Sequence, residues 1–244
     1  MRFDARQASQ MRALQFEPDF LPTAEGSVLV SVGNTRVVCT ATLEESVPGF
    51  LRGQGLGWVT AEYAMLPRAT LRREPREVNK GRASGRTLEI QRLIGRALRA
   101  VVEREALGER TLVLDCDVLQ ADGGTRTASV SGAFVAMAMA MQRLLEAGRV
   151  KRLPLRQYLA AISVGMVQGE AVLDLNYQED SHAEVDMNVV MTGDGRYAEI
   201  QATAESQPFS DEQARKLLEL ARAGIGQIME AQHAILKLPL ARMA

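Results

Sequence analysis

Only two of the 244 residues are cysteines, Cys39 and Cys116. A disulfide framework or a thiolate zinc site needs more than that. Both lie in apolar alternating segments, so free buried thiols are expected. Aromatic residues make up 5% of the chain, against eleven Met. This points to an aliphatic core filled in by methionine. The segment Met1 to Phe16 is charged throughout and holds no apolar run fit for a signal peptide. No stretch approaches the roughly 20 apolar residues needed to cross a bilayer. No Pro- or Ser-rich linker divides the chain either. The expectation is one domain over residues 1–244, in a soluble cytoplasmic protein with no membrane partner.

The formal net charge of −1 gives no hint of a nucleic-acid partner, but the distribution does. From Arg68 to Arg99 there are ten Lys/Arg and three Glu, a net of +7. From Glu170 to Glu212 there are eleven acids and one base, Arg196, a net of −10. Either these faces are solvated or neutralise each other between subunits, or a polyanion groove lies beside a metal site.

Periodicity supplies the elements. Gly26 to Glu45 reads as a hairpin around Gly33-Asn34. Trp58-Val59-Thr60 and Tyr63-Ala64-Met65 read as short strands inside a long Gly-, Arg- and Pro-rich stretch. Its Arg68–Arg82 part has neither period, and a loop of that length is usually functional or an interface. A helical pattern runs from Thr87 to about Glu105, with Ser84 or Gly85 as its cap. Thr111 to Val118 alternates strictly, with Asp115 and Asp117 on the face opposite Leu112, Leu114 and Cys116. The next helix, Thr127 to Ala147, is apolar almost all round and should be central. Two further hairpins follow, across Gln168-Gly169 and across Gly193-Asp194-Gly195. A capping box of Ser210 and Gln213 opens the last helix, which runs to about Leu236. Hairpins interleaved with helices predict an α+β fold of mixed sheets, and their order hints at a duplicated sheet-plus-helix unit.

Three constellations carry chemistry. Gly123-Gly124-Thr125-Arg126 joins a buried strand to a buried helix, where backbone N–H groups, the helix dipole, a hydroxyl and a guanidinium suit an anion. The alternative is a plain turn with its Arg in solvent. It is not a Walker A loop, since the Gly-Lys-Ser/Thr ending is absent. Ser84-Gly85-Arg86-Thr87 also opens a helix, and there Arg86 faces a positive helix end unless an anion sits between them. Glu179-Asp180-Ser181-His182-Ala183-Glu184-Val185-Asp186 packs four carboxylates into eight residues. That density suits Mg²⁺ or Mn²⁺, or else marks an acidic solvated turn. On a strand starting near Glu184, Glu184 and Asp186 share a face. His182 reads as a surface histidine. Two anion-binding helix starts and a hard-metal cluster together make an inventory for phosphoryl transfer.

These residues resemble a known family. Leu51-Arg-Gly-Gln-Gly, Gly57-Trp-Val-Thr-Ala-Glu-Tyr, Met65-Leu-Pro-Arg-Ala-Thr, Ser84-Gly-Arg-Thr, Glu89-Ile-Gln-Arg-Leu-Ile-Gly-Arg, Asp115-Cys-Asp-Val-Leu-Gln-Ala-Asp-Gly-Gly-Thr-Arg-Thr-Ala-Ser and Asp186-Met-Asn-Val-Val-Met-Thr-Gly closely resemble the ribonuclease PH family. The resemblance covers about Glu25 to Gln227. It implies a ribonuclease PH-like fold and a phosphate-dependent 3′→5′ exoribonuclease that trims transfer RNA precursors and other RNAs. Inorganic phosphate attacks the 3′-terminal phosphodiester and a nucleoside 5′-diphosphate leaves, reversibly. Carried over by position, Arg86, Gly124, Thr125 and Arg126 hold the phosphate. Asp180 and Asp186 hold Mg²⁺ or Mn²⁺ and assist the leaving 3′ oxygen, with Gln178 and Glu184 as secondary candidates. The family forms a hexameric ring, a trimer of dimers, in which Arg68, Arg72, Arg73 and Arg76 serve subunit contacts or RNA phosphates.

Overall fold

Two sheets form from the alternating segments in a computed structural model that describes residues 2–205 and 207–243. In the first sheet, β2 (Gly26–Val32) and β3 (Thr35–Glu44) make the expected hairpin, with Val30 opposite Val37. β5 (Thr111–Gln120) pairs antiparallel with β3 and parallel with β4 (Trp58–Met65). The two short pieces expected around Trp58 and Tyr63 are thus one strand. A parallel pair needs a crossover, and α1 (Gly85–Arg99) supplies it. An additional strand, β1 (Leu14–Pro18), completes the order β1-β2-β3-β5-β4.

The second sheet is antiparallel throughout. It contains β6 (Leu159–Val167), β7 (Glu170–Leu173), β8 (Val185–Thr192) and β9 (Tyr197–Ala204), in the order β7-β6-β8-β9. Each sheet is followed by a long helix, α3 (Thr125–Glu146) after the first and α5 (Asp211–Leu236) after the second. The fold is α+β, and this order carries the sheet-plus-helix repetition hinted at by the sequence. The short helices α2 (Arg104–Leu107) and α4 (Tyr177–Asp180) fill out the loops.

α3 is the keystone. It packs on β2 and β3 of one sheet and on β6 of the other, and sixteen of its residues are buried. Burial on all sides explains why its sequence is apolar all round. By length and composition its 22 residues match a membrane span, which corrects the expectation that no stretch comes near one; here they fill the core. Gly26 lets β2 close on this helix, since a Cβ there would sit 2.0 Å from the Ala136 carbonyl oxygen. One continuous core, including Val28, Leu114, Phe134, Leu159 and Ile225, spans both sheets.

Boundaries differ where tertiary pairing competes with local propensity. α1 stops at Arg99 rather than near Glu105, because the β-branched Val102 leaves the helix for an antiparallel bridge with Leu155. The second arm of the hairpin across Gln168-Gly169 is short, because after Leu173 the chain turns at Asp174 and enters α4. The capping box of Ser210 and Gln213 opens α5 as expected.

Candidate active site

Three segments from different parts of the chain meet in one open cleft of about 850 Å³. The start of α1 brings Arg86. The β5–α3 junction brings Gly123, Gly124, Thr125 and Arg126. α4 and β8 bring Asp180 and Asp186. Arg72, Glu89, Tyr177, Asn188, Gln201 and Glu205 also line it. All the principal phosphate and metal candidates named from the sequence therefore converge.

The β5–α3 junction is shaped by two glycines in the left-handed region, Gly123 at φ 75° and Gly124 at φ 67°. At Gly123 the need is close approach as well, since a Cβ would lie 2.5 Å from the Leu175 carbonyl oxygen. α1, α4 and α5 are closed at their N-termini by Ser84, Asn176 and Ser210, but α3 has no side-chain cap. Its first N–H groups remain available to an anion in the cleft. Tyr63 donates its hydroxyl to Thr125 Oγ1 at 2.9 Å. Burial raises the Tyr63 pKa, so it stays a donor and Thr125 keeps its own proton for a ligand.

The two arginines are presented differently. Arg86 is exposed in the first turn of α1, which contains no acidic residue. Arg126 is held, with Nη1 donating to Gln201 Oε1 at 2.7 Å and to Glu89 Oε1 at 3.4 Å. Gln201 in turn donates to the same Glu89 oxygen at 2.5 Å. Part of the charge asymmetry is settled inside the chain, because Arg96 of α1 pairs with Glu199 of β9.

The acidic run divides by side-chain direction. One turn of helix sends Asp180 into the cleft and Glu179 to the rear, where Glu179 is buried and held by Arg2 and Arg6. Burial raises the Asp180 pKa against the pull of Arg126 and Arg86. Asp186 is pushed up to about 6 by burial and by repulsion from Asp180, while Arg126 and Asn188 pull the other way. Asn188, two residues on along β8, donates to both Asp186 oxygens at 3.4 and 3.3 Å.

The secondary candidates lie outside the cleft lining. Glu184 precedes β8 and accepts from the Gly169 N–H at 2.9 Å in the β6–β7 turn. Gln178 is exposed, and its carbonyl oxygen lies 2.8 Å from His182 Nδ1, so His182 is engaged locally. Arg68, Arg72, Arg73 and Arg76 are all exposed, and among the described residues none of them makes an ion pair. Of the four, Arg72 reaches the cleft.

A divalent cation suits this donor set. Two mutually repelling carboxylates beside an amide offer oxygen ligands only, and Mg²⁺ typically takes one or two carboxylates and keeps its waters. Among the described residues no group of three or more His, Cys, Asp or Glu is placed to hold a metal.

Sequence reasoning missed Tyr63, Glu89, Asn188 and Gln201 as site residues. Period-two alternation from Asp186 marks Asn188 as sharing its face. Gln201 carries no such signal, since its role depends on β9 lying beside β8.

Most of the chain matches a known family. Residues 10–141 match domain 1 of the 3′ exoribonuclease family (RNase PH), and residues 157–224 match its domain 2. Ribonuclease PH of Solibacter usitatus is 60% identical over 237 residues, covering 97% of this chain and all of the relative. Ribonuclease PH of Bacillus pumilus is 58% identical over 236 residues, covering 96% and 98%. Among solved structures, rice Rrp46 superposes with a TM-score of 0.78 at 18% identity, covering 96% of this chain and 100% of that one. An Archaeoglobus fulgidus exosome with RNA bound to the active site gives 0.77 at 21%, covering 97% and 92%. At these identities the structures speak for the fold.

Proposed function

The chain belongs to the 3′ exoribonuclease family of ribonuclease PH and is a phosphorolytic 3′→5′ exoribonuclease; from that premise we propose that the cleft between α1, α3 and β8 is where phosphorolysis occurs. The observation that carries this is the convergence of Arg86, Gly124, Thr125, Arg126, Asp180 and Asp186 from three separate segments.

Phosphate is a poor nucleophile toward another anion, because both partners are negative. Arg86, Arg126 and the uncapped N–H groups of α3 neutralise inorganic phosphate and aim one of its oxygens at the 3′-terminal phosphorus. Thr125 donates its hydroxyl to the same ion, held in position by Tyr63. The new P–O bond forms as the bond to the 3′ oxygen of the preceding nucleotide breaks. A nucleoside 5′-diphosphate leaves, and the shortened RNA keeps the 3′ oxygen as a hydroxyl. Asp180 and Asp186 would hold Mg²⁺ or Mn²⁺, which would supply positive charge beside the departing 3′ oxygen. Run backwards, the same geometry adds a nucleotide from a diphosphate.

The substrates in this reading are 3′ ends of transfer RNA precursors and other RNAs, processed in the cytoplasm. Two buried free thiols are compatible with that reducing compartment. The working form is a hexameric ring, a trimer of dimers. The exposed Arg68, Arg72, Arg73 and Arg76 support it as groups for subunit or RNA contacts.

The test is to digest a short 3′-tailed RNA with Mg²⁺, with and without inorganic phosphate. Nucleoside diphosphates formed only with phosphate, and abolished by Asp180→Ala, support the assignment. Monophosphates formed without phosphate would mean hydrolysis. Intact RNA bound but uncut would leave a scaffold role alone.

A further inference from the structure

The phosphate-holding loop and the carboxylate-bearing turn come from different sheets, so something must set the distance between them. We infer that Arg12 and Asp122 are positioning residues that fix this spacing, and that the N-terminal segment is thereby part of the catalytic framework. The inference rests on the reading of the cleft given above.

Arg12 is buried, and its guanidinium reaches both halves of the site. Nη1 donates to the Asp122 carbonyl oxygen, and Nη2 lies 3.5 Å from that of Gly123. On the other side, Nη2 donates to the Leu175 carbonyl at 3.2 Å and to Asp174 Oδ1 at 2.7 Å, and Nε donates to Asp174 Oδ2 at 2.9 Å. Asp174 itself is buried in the left-handed region at φ 56° and also accepts from the Arg12 N–H at 2.8 Å. One rigid, planar fork thus binds carbonyls of two segments that share no sheet. A lysine, with a single point of charge, cannot span them.

Asp122 makes the second tie. Its Oδ1 accepts from the Tyr177 N–H at 3.2 Å, where α4 begins, and its Oδ2 accepts from Asn34 at 3.2 Å. Thr35 braces the loop from β3, accepting from the Asp122 N–H at 2.9 Å and donating to the Gly123 carbonyl at 2.7 Å. Behind α4, Arg2 grips both Glu179 oxygens at 2.7 Å, one residue before Asp180. Arg6 bridges Glu179 and Asp174, each at 3.3 Å.

Buried ion networks are weak contributors to stability compared with a packed apolar core, because desolvation offsets much of the attraction. Fixing geometry is the better-supported use here, since every arginine in the network touches Asp174, where the chain turns toward the helix that carries Asp180. Reaction rates are sensitive to that geometry, with about an ångström of misplacement costing on the order of a hundredfold.

The experiment compares Arg12→Lys, Asp122→Ala and, as a control on the cleft itself, Arg86→Ala. Nucleoside diphosphate release from a short unstructured RNA is measured against phosphate concentration, well below each variant's unfolding midpoint. For Arg12→Lys and Asp122→Ala, half-saturating phosphate should rise about tenfold and turnover fall, while RNA half-saturation stays within about twofold. A lower unfolding midpoint with unchanged phosphate half-saturation and turnover in both variants would overturn the inference and leave a merely structural tie. If Arg12→Lys does not fold, Asp122→Ala, which is only half-buried, decides alone by the same criterion. If Arg86→Ala also leaves phosphate use unchanged, the reading of the cleft has failed rather than the inference.

Discussion

Asp186 sits where its charge is costly, and Asp186→Asn should therefore stabilise the metal-free fold while abolishing turnover. Its pKa rises from 3.8 to about 6, chiefly through burial and then through repulsion from Asp180. Between those values the folded chain binds more protons than the unfolded one, so stability falls as pH rises through that window. Two pKa units at about 1.4 kcal/mol each give a penalty of about 3 kcal/mol once the group is ionised in both states. Asparagine removes the charge at nearly constant volume, and its Oδ1 can still accept from Asn188. Urea unfolding with a chelator at about pH 8 should show the variant more stable by about 3 kcal/mol, and its thermal midpoint should be higher by about 6–10 °C. The gap should shrink to about half at about pH 5 and vanish below the unfolded value. Adding Mg²⁺ should stabilise the parent chain and not the variant, because a ligand stabilises only the state that binds it. A variant no more stable than its parent at about pH 8 would refute the burial argument. Equal Mg²⁺ shifts in both would refute Asp186 as a metal ligand.

Other perturbations separate the parts of the site. In Gly123→Ala the new Cβ lies 2.5 Å from the Leu175 carbonyl oxygen, so the loop must retreat about 0.9 Å to reach ordinary contact at 3.4 Å. Activity should fall by about ten- to a hundredfold in initial-rate assays, and a near-normal rate would show that the loop tolerates displacement. Tyr63→Phe removes the donor to Thr125; phosphate half-saturation should rise a few-fold and stability fall by about 1 kcal/mol, checked by phosphate titration and urea unfolding. For the arginine loop, filter binding of single-stranded RNA should weaken with salt. Replacing Arg72 and Arg73 by Ala should lower the log–log slope by about 0.7 for each RNA phosphate no longer neutralised, and an unchanged slope would assign the loop to subunit contacts.

Much of this architecture is legible in the residues themselves. The alternation of Leu112, Leu114, Cys116 and Val118 gives β5, and the apolar wrap of α3 announces its central place between the sheets. Side-chain direction at the acidic run is not legible. Charge density marks Glu179 to Asp186 as one cluster, yet a single helical turn sends Asp180 forward and Glu179 back. The N-terminal arginines are hidden for a different reason. Arg2 and Arg12 read as ordinary surface charge until Glu179 and Asp174, more than 160 positions away, are folded against them. β1 escapes because only Phe16 of its five residues is buried and Pro18 ends it, as suits an edge strand.

The most direct test of the cleft as the seat of phosphorolysis is a phosphate titration of Arg86→Ala on a short RNA, followed by nucleoside diphosphate release. Half-saturating phosphate should rise by about tenfold or more, with RNA binding little changed, as expected when one charge-assisted hydrogen bond to the nucleophile is removed. Phosphorolysis that stays intact at limiting phosphate would contradict the assignment of Arg86 and, with it, this reading of the cleft.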